Sequence, residues 1–447
     1  MNLSKILGTD ERTALMRKNI LLSFLIKGWS GVVTLLLVPV TLHCLGEYKN
    51  GLWLTISSML IWIDNLDIGL GNGLRNQLAT HLAHGDTQKA REAVTSTFVM
   101  LAIIIVPIML LAIAAAHYAD LYAFINVDHS LITNLESVVV VSIIFVCSTF
   151  IFKFIGNVYL GLQLPAVNNL LVTIGHTLAL VGTYAVYLSG SHSLMWIAVV
   201  NTCGPLAAYL LAYPYTFYTK YPHLRPALRY FRREAVAGLF GIGVKFFMLQ
   251  ISGILLFMTS NIIISKLFSP AMVTPYQIAY RYFTIAMMIF TIISTPYWTA
   301  TTDAYERGDI KWISDSRRRL DLILLAILAM LAVMVLLSQP LYTIWVGGEV
   351  HISYTLSTLM ALYMAVILVS LSYSYYLNGM GALTLQLIMT LAAAIVFIPL
   401  TYAATRLWPD INCVVLVMTL VNVPGLVLNI IQYRKLVTGT ATGIWKN

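Results

Sequence analysis

Four basic residues fall inside long apolar stretches of this sequence, where a positive charge needs water or an anion beside it: Lys27, Lys153, Lys245 and Arg281. A Lys or Arg at the centre of a lipid-facing helix costs about 2.5 to 3.5 kcal/mol on insertion scales. Each of the four lies at helical spacing from Ser, Thr, Asn or Gln residues, and Gln277 precedes Arg281 by one turn. The pattern favours a wet, cationic cavity in which these five residues bind an anionic substrate.

Two alternatives to a substrate cavity remain open. Each of the four cations lies within about two helical turns of one end of its apolar stretch, so its side chain can also reach outward to the headgroups. Tyr373, Tyr375 and Tyr376 can stack on sugars if they face a cavity, but such residues also pack in helix bundles or form an interfacial belt.

Acidic residues occur at the end of the second apolar stretch. Asp64 and Asp67 lie at helical spacing from Ser57 and share its face. Inside a membrane protein such carboxylates have two roles open to them. They can pair with the cations while no substrate is bound, or they can couple transport to a proton or a sodium ion.

The glycine-rich segment "DIGLGNGLRN", residues 67–76, follows at the predicted cytoplasmic mouth. Asn72, Arg75 and Asn76 offer hydrogen-bond donors there, while the glycines let the backbone turn tightly or approach a neighbour. A hinge at a helix end and a contact with a ligand are both consistent with this composition.

No motif indicates catalysis, a metal or a cofactor. The sequence has no GxxxxGK[ST] loop for ATP, and no segment outside the apolar stretches is long enough to form a soluble core. His81 and His84 are three residues apart, but no further ligand for a metal lies near them. We therefore expect a protein that is not an enzyme, without cofactor or metal.

The composition places these residues in a membrane protein. Hydrophobic residues make up 59% of the 447 residues and charged residues only 10%, against about 25% in soluble domains. A membrane-spanning helix needs about 20 apolar residues. We count twelve such stretches: Ile20–Leu42, Gly51–Leu70, Ala93–Ala116, Ser137–Leu160, Asn168–Leu188, Leu194–Tyr218, Leu239–Leu267, Thr274–Trp298, Leu320–Leu337, Thr355–Leu377, Leu383–Ala404 and Cys413–Ile431.

The distribution of positive charge sets the expected orientation. If both termini are cytoplasmic, twenty Lys and Arg residues fall on the inside and only Lys49, Lys266 and Arg406 on the outside. The net charge of +9 is then explained by cytoplasmic residues near anionic lipid headgroups, without nucleic acid as a partner. The run from Arg225 to Arg233 is interpreted as part of these solvated cytoplasmic charges, with a dedicated ligand site as the alternative.

A repeat divides the chain into two halves. His84-Gly85-Asp86 and Arg307-Gly308-Asp309 form the same Gly-Asp loop, 223 residues apart. Six spans per half give both halves the same orientation, so the expected fold is all-α, with two six-helix lobes related by a pseudo-two-fold axis along the membrane normal. We expect an N-terminal lobe at 1–218, a basic cytoplasmic linker at 219–238 and a C-terminal lobe at 239–447.

Two motifs add a resemblance to a known family. The end of the second span, "DIGLGNGLRNQLATHLAHGDTQKAR", and "YYLNGMG" at the end of the tenth resemble bacterial polysaccharide-unit flippases. These O-antigen and capsule flippases belong to the multidrug/oligosaccharidyl-lipid/polysaccharide exporter superfamily. The resemblance implies a multi-pass protein of the bacterial inner membrane that exports an undecaprenyl-diphosphate-linked oligosaccharide by alternating access. It also implies a polysaccharide polymerase and chain-length machinery as partners.

The charge of the predicted cavity agrees with that implication, because a diphosphate headgroup requires compensating cations. A cation-coupled multidrug exporter of the same superfamily is the main alternative, and acidic residues suited to cationic drugs would be typical of it. A lipid II flippase is less consistent with twelve spans. A membrane glycan polymerase or ligase would be expected to have a catalytic external loop.

Overall fold

The computed structural model describes residues 11–64, 70–162, 164–234 and 259–446, and these contain helices and no strand. A few side chains within the helices, including those of Asp64, Asn72 and Asn76, lie outside the description. The helices are α1 (Glu11–Asp64), α2 (Leu70–Ala83), α3 (Thr87–Tyr118), α4 (Leu121–Ile125), α5 (Leu135–Phe152), α6 (Phe154–Gly161), α7 (Pro165–Leu188), α8 (Leu194–Pro214), α9 (described over 259–267), α10 (Pro270–Glu306), α11 (Ile310–Leu336), α12 (Ser338–Val346), α13 (Tyr354–Gly379), α14 (Thr384–Leu407) and α15 (Ile411–Val437).

Ten of the described helical segments are long and apolar enough to cross a membrane. The all-α, polytopic class expected from the composition is confirmed. The first two predicted spans both fall within the segment Leu25–Ile61. Two helices meet there at a kink, because the described backbone of α1 leaves helical geometry at Gly46, where φ is 70° and ψ is 171°. The predicted seventh span, Leu239–Leu267, lies mostly outside the described residues.

The chain around Gly46 is tied to the loop that joins α7 and α8. The Cys44 thiol donates to the Ser191 carbonyl at 3.2 Å, and Lys49 Nζ donates to the His192 carbonyl at 3.1 Å. His192 Nδ1 lies 2.6 Å from the Cys44 carbonyl oxygen. Two segments that the charge distribution assigns to the same outside face therefore meet.

The repeated Gly-Asp loop has the same geometry in both halves. Gly85 and Gly308 have φ of +73° and +71°, a region that only glycine enters without steric cost. The next residue caps the following helix: Asp86 accepts from the Lys89 backbone N–H and Asp309 from that of Trp312, both at 2.9 Å. The hydrogen bond from Lys89 lowers the pKa of Asp86 below its usual value. The repeat seen in the sequence is thus a structural repeat.

The chain divides into two compact units. Unit 1 comprises Met1–Lys49 and Met59–Phe247, and unit 2 comprises Asn50–Ser58 and Met248–Asn447. In unit 1, α7 packs along α8, while α5 packs against α8 and α3. In unit 2, α13 is central and packs against α10, α11 and α15.

Unit 2 includes a close backbone contact between residues 50–58 and the start of α10. A Cβ atom at Gly51 would lie only 1.7 Å from the Pro270 carbonyl oxygen and 3.1 Å from Thr274 Oγ1. The buried Asn50 donates to the same Thr274 hydroxyl at 3.2 Å. The repeat offset of 223 residues maps Gly51 onto Thr274, so equivalent positions of the two halves of the sequence meet here.

Arg317 organises the ends of α11, α13 and α15 in the same unit. It is only 5% exposed. Its guanidinium lies 3.7 Å from the centre of the Tyr373 ring, donates to Ser372 Oγ at 3.0 Å and pairs with Asp321. The rings of two further tyrosines enclose it at about 6 Å: Tyr376 and Tyr433.

We predict that Gly51→Ala destabilises unit 2. The new methyl group overlaps a backbone oxygen, and overpacking of this kind typically costs about 1 to 3 kcal/mol. The melting temperature of the detergent-solubilised protein should fall. Gly28→Ala is the matched control, because no atom lies within 4 Å of a Cβ there and alanine favours the helix. Equal melting temperatures for the two variants would contradict the close contact.

We also predict that Arg317→Ala lowers the melting temperature, with a loss of about 2 kcal/mol from the cation–π contact and the charged hydrogen bonds. Arg317→Lys should recover only part of the loss, because an ammonium does not stack as a plane on Tyr373. Arg318→Ala, which removes an exposed charge one residue later, serves as the control. A similar effect of Arg317→Ala and Arg318→Ala would rule out the enclosed arginine.

Candidate functional site

The predicted binding residues of unit 2 lie on α10. Gln277 is half-buried, and its amide donates to Asn261 Oδ1 at 2.6 Å. Asn261, in α9, donates in turn to the Leu54 carbonyl at 3.3 Å. Gln277 therefore joins α10 to α9, and through Asn261 to the segment that contains Gly51. Its carbonyl oxygen and second amide hydrogen form no hydrogen bond with a described residue, so they can bind a ligand.

Arg281 follows Gln277 by one helical turn on the same face of α10. It is half-buried, and it makes no hydrogen bond or ion pair with any residue that the structure describes. Thr284, the third polar residue on this face, satisfies its hydroxyl on the Tyr280 carbonyl at 2.7 Å. Arg281 is thus a guanidinium within a membrane-spanning helix that can still accept an anionic partner.

The predicted residues of unit 1 lie on α1 and at the junction between α5 and α6. Lys27 is exposed on α1 and has no hydrogen bond or ion pair to a described residue. Lys153 is half-buried at the residue where α5 ends and α6 begins. Arg75 is exposed on α2, and its backbone carbonyl lies where α2 packs against Gly161 of α6.

A polar contact between α1 and α7 lies beside Lys27. Ser30 Oγ is 3.4 Å from His176 Nδ1, and the Trp29 indole donates to Thr177 Oγ1 at 3.4 Å. Sequence reasoning did not select His176. Its spacing from Thr173 and Thr177 inside an apolar span is the signal that could have found it.

The remaining predicted residues fall where the structure describes less. Lys245 and Asp67 lie outside the described residues, and only the backbone is described for Asp64, Asn72 and Asn76, in α1 and α2. The pairing of Asp64 or Asp67 with the cations therefore stays a prediction, as does the role of Asn72 and Asn76 at the mouth.

Other sequence candidates have structural partners. Tyr373 and Tyr376 enclose Arg317, so the faces they turn to it are not open to a sugar. The Tyr375 ring lies 6.5 Å from that of Trp298. Among the described residues, no group of three or more His, Cys, Asp or Glu could hold a metal ion.

Comparison with known sequences finds a distant relative. The chain is 20% identical over 273 residues to a protein of Salmonella typhimurium strain LT2 named "Putative O-antigen transporter". The match spans 60% of this chain and 60% of that relative's length. No family model matches the chain.

Comparison with solved structures covers almost the whole chain. An inward-facing multidrug resistance MATE family transporter of the MOP superfamily matches with a TM-score of 0.75 at 15% identity, covering 94% of this chain and 95% of the other. An outward-facing MATE family transporter of the MOP superfamily matches with a TM-score of 0.60 at 16% identity, covering 98% of each chain. The protein therefore has the fold of these MATE family transporters.

Proposed function

We propose that this protein is a flippase that moves an undecaprenyl-diphosphate-linked oligosaccharide from the cytoplasmic to the periplasmic leaflet of the bacterial inner membrane by alternating access. The observation that carries the proposal is the guanidinium of Arg281. It lies in a membrane-spanning helix, half-buried and without a partner among the described residues. A charge in that position is favourable only when water or a ligand compensates it.

A diphosphate is the ligand group that fits such a position. Guanidinium groups bind phosphate oxygens through two parallel, charge-assisted hydrogen bonds, and these are stronger where the dielectric constant is low. Gln277, one turn away, offers an amide hydrogen and a carbonyl oxygen for neutral groups of the same ligand. The pair can therefore bind one charged and one neutral polar group.

Further cations are proposed to receive the diphosphate nearer the cytoplasm. Lys27 is exposed beside the Ser30 and His176 contact, and Lys153 lies at a helix break. Lys245 belongs to the same proposed set. Arg75, with Asn72 and Asn76, would contact the substrate at the cytoplasmic mouth. Asp64 and Asp67 would pair with these cations or couple transport to an ion.

The named relative supports the glycan part of the proposal, because it is described as an O-antigen transporter. A glycan delivered to the periplasmic leaflet must then be polymerised. We therefore propose that the protein works with a polysaccharide polymerase and chain-length machinery, with membrane lipids around it. Both termini are proposed to be cytoplasmic, since the Lys and Arg residues concentrate on that side.

A multidrug exporter is the second candidate function, and the fold match to MATE multidrug transporters favours it. A cationic drug would need acidic partners, whereas the described candidates in the spans include Lys27, Lys153 and Arg281. Ethidium resistance in a drug-sensitive bacterium separates the two functions. Resistance conferred by this protein, without any glycolipid transport, would favour the exporter.

We predict that Arg281→Gln slows glycolipid transport about tenfold or more, since a hydrogen bond to a charged group contributes about 1.5 to 3 kcal/mol. The measurement uses proteoliposomes with a fluorescent undecaprenyl-diphosphate-linked glycan, and dithionite reports how much label reaches the outer leaflet. Arg281→Lys should keep part of the rate because the charge is retained. Arg406→Gln removes an exposed cation near the end of α14 and is the control. Wild-type rates in Arg281→Gln would exclude it from the path.

We further predict that the double variant Lys27→Ala and Arg281→Ala abolishes surface glycan in the native bacterium while protein abundance stays normal. Loss of both cations should impair transport more than either single change, because each is proposed to bind the diphosphate at a different stage of its path. Surface polymer is followed by gel electrophoresis of cell-envelope glycans, and abundance by immunoblotting. Normal polymer in the double variant would overturn the assignment of these residues to the substrate path.

A further inference from the structure

The segment that follows α8 is bound to α3 by hydrogen bonds and is not simply a solvated run of charges. Arg91 Nε, on α3, donates to the Arg225 carbonyl at 2.8 Å. Ser96, also on α3, donates to the Arg232 carbonyl at 3.2 Å and accepts from the Arg232 backbone N–H at 3.0 Å. These bonds fix the backbone of residues 225–232 on unit 1, so the side chains on its outer side have defined positions.

The arginines of this segment stack on tyrosine rings. Two guanidinium groups lie over the Tyr230 ring: that of Arg91 at 4.1 Å and that of Arg229 at 4.8 Å from its centre. Arg225 lies over the Tyr218 ring at 4.4 Å. Stacking of this kind limits the motion of the guanidinium plane while its N–H groups remain free to bind oxygen atoms.

Positive charge is in excess on this surface. The Glu92 carboxylate lies 3.6 Å from Arg232 Nε and compensates that residue. Arg225, Arg229 and Arg233 are exposed and form no ion pair with a carboxylate in the part of the chain that the structure describes. Like charges held near one another repel, so an anion bound among them lowers the energy of the arrangement.

Large apolar side chains project beside the same arginines. Leu228 is 80% exposed, and Tyr215 and Tyr218 are 54% and 57% exposed. The two tyrosines belong to the turn Tyr215–Lys220 that continues the membrane-spanning segment Leu194–Lys220. Tyrosines at the end of a span typically lie at the level of the headgroups. Leu228 begins the short 3₁₀ turn Leu228–Tyr230 and lies between Arg225 and Arg229 in the sequence. It is then placed to enter the acyl region.

We propose that these residues form a binding site for the headgroups of anionic phospholipids in the adjacent leaflet. We call the site the linker patch, and it consists of Tyr215, Tyr218, Arg225, Leu228, Arg229 and Arg233. The arginines bind the phosphate oxygens and Leu228 inserts between acyl chains. The exposed leucine distinguishes a lipid from free phosphate, which offers no apolar part. This inference does not depend on the transported substrate.

Native mass spectrometry tests the linker patch by titrating the purified protein with phosphatidylglycerol and counting bound lipids. Charge removal in the triple variant R225Q/R229Q/R233Q should weaken the tightest binding about tenfold or more, because each basic residue near an anionic lipid surface contributes about 1 kcal/mol. The matched control is K311Q/R318Q/R319Q, which removes three exposed charges from α11. The control should keep wild-type binding, and phosphatidylcholine should not compete. Equal losses in the two triple variants would mean diffuse attraction and overturn the site.

A second variant tests the apolar part without altering charge. Leu228→Asn should weaken phosphatidylglycerol binding about threefold or more while the protein keeps its melting temperature, because Leu228 is already exposed. This variant also tests the linker patch if the triple variant does not fold. Two competitors separate other sources of phosphate. Displacement of phosphatidylglycerol by millimolar inorganic phosphate, or by undecaprenyl diphosphate at equal concentration, would overturn the proposal in favour of a free-phosphate or a substrate site.

Discussion

The structure depends on how a positive charge is compensated where water is scarce. Arg317 and Arg281 both lie in membrane-spanning segments, and the chain treats them differently. Arg317 contacts a carboxylate, a hydroxyl and three tyrosine rings, which offset much of the desolvation of its guanidinium, although its buried Nε has no hydrogen-bond partner among the described residues. Arg281 receives no partner from the described residues. Among the described residues, the fold supplies partners for Arg317 and none for Arg281. This difference is the reason for proposing that Arg281 binds a ligand.

Local signals made much of the fold predictable from the sequence. Apolar stretches of sufficient length indicated the spans, since a helix is the one way a single segment satisfies its own backbone in lipid. The Gly-Asp loops were recognisable because two local requirements coincide: a glycine at positive φ, and an aspartate that caps the next helix. The tie between the Gly46 turn and the loop at Ser191 follows from the same topology, since both segments were assigned to one face by charge.

The rest depends on partners that are distant in sequence. Arg317 is indistinguishable from Arg318 and Arg319 in a basic run, and its burial is decided by Ser372 and the tyrosines of α13 and α15. The hydrogen bond from Gln277 to Asn261 likewise could not be predicted without knowing where α9 lies. The basic segment after α8 looks solvated in composition, but its order comes from Arg91 and Ser96 on α3. The spacing of residues along the sequence does not predict these pairs, because each pair joins elements whose relative position is set by the packing of the unit.

The fold and the sign of the charge on the proposed substrate depend on different residues of this protein. Helix packing in a membrane relies on close backbone approaches and interhelical hydrogen bonds, such as Gly51 against Pro270 and Asn50 with Thr274. Those contacts do not involve the charged candidates. A few side chains along a path can then change from acidic to basic while the helices keep their arrangement. A fold shared with multidrug transporters at 15% identity is therefore compatible with an anionic substrate, which we propose from the position of Arg281 and its neighbour Gln277.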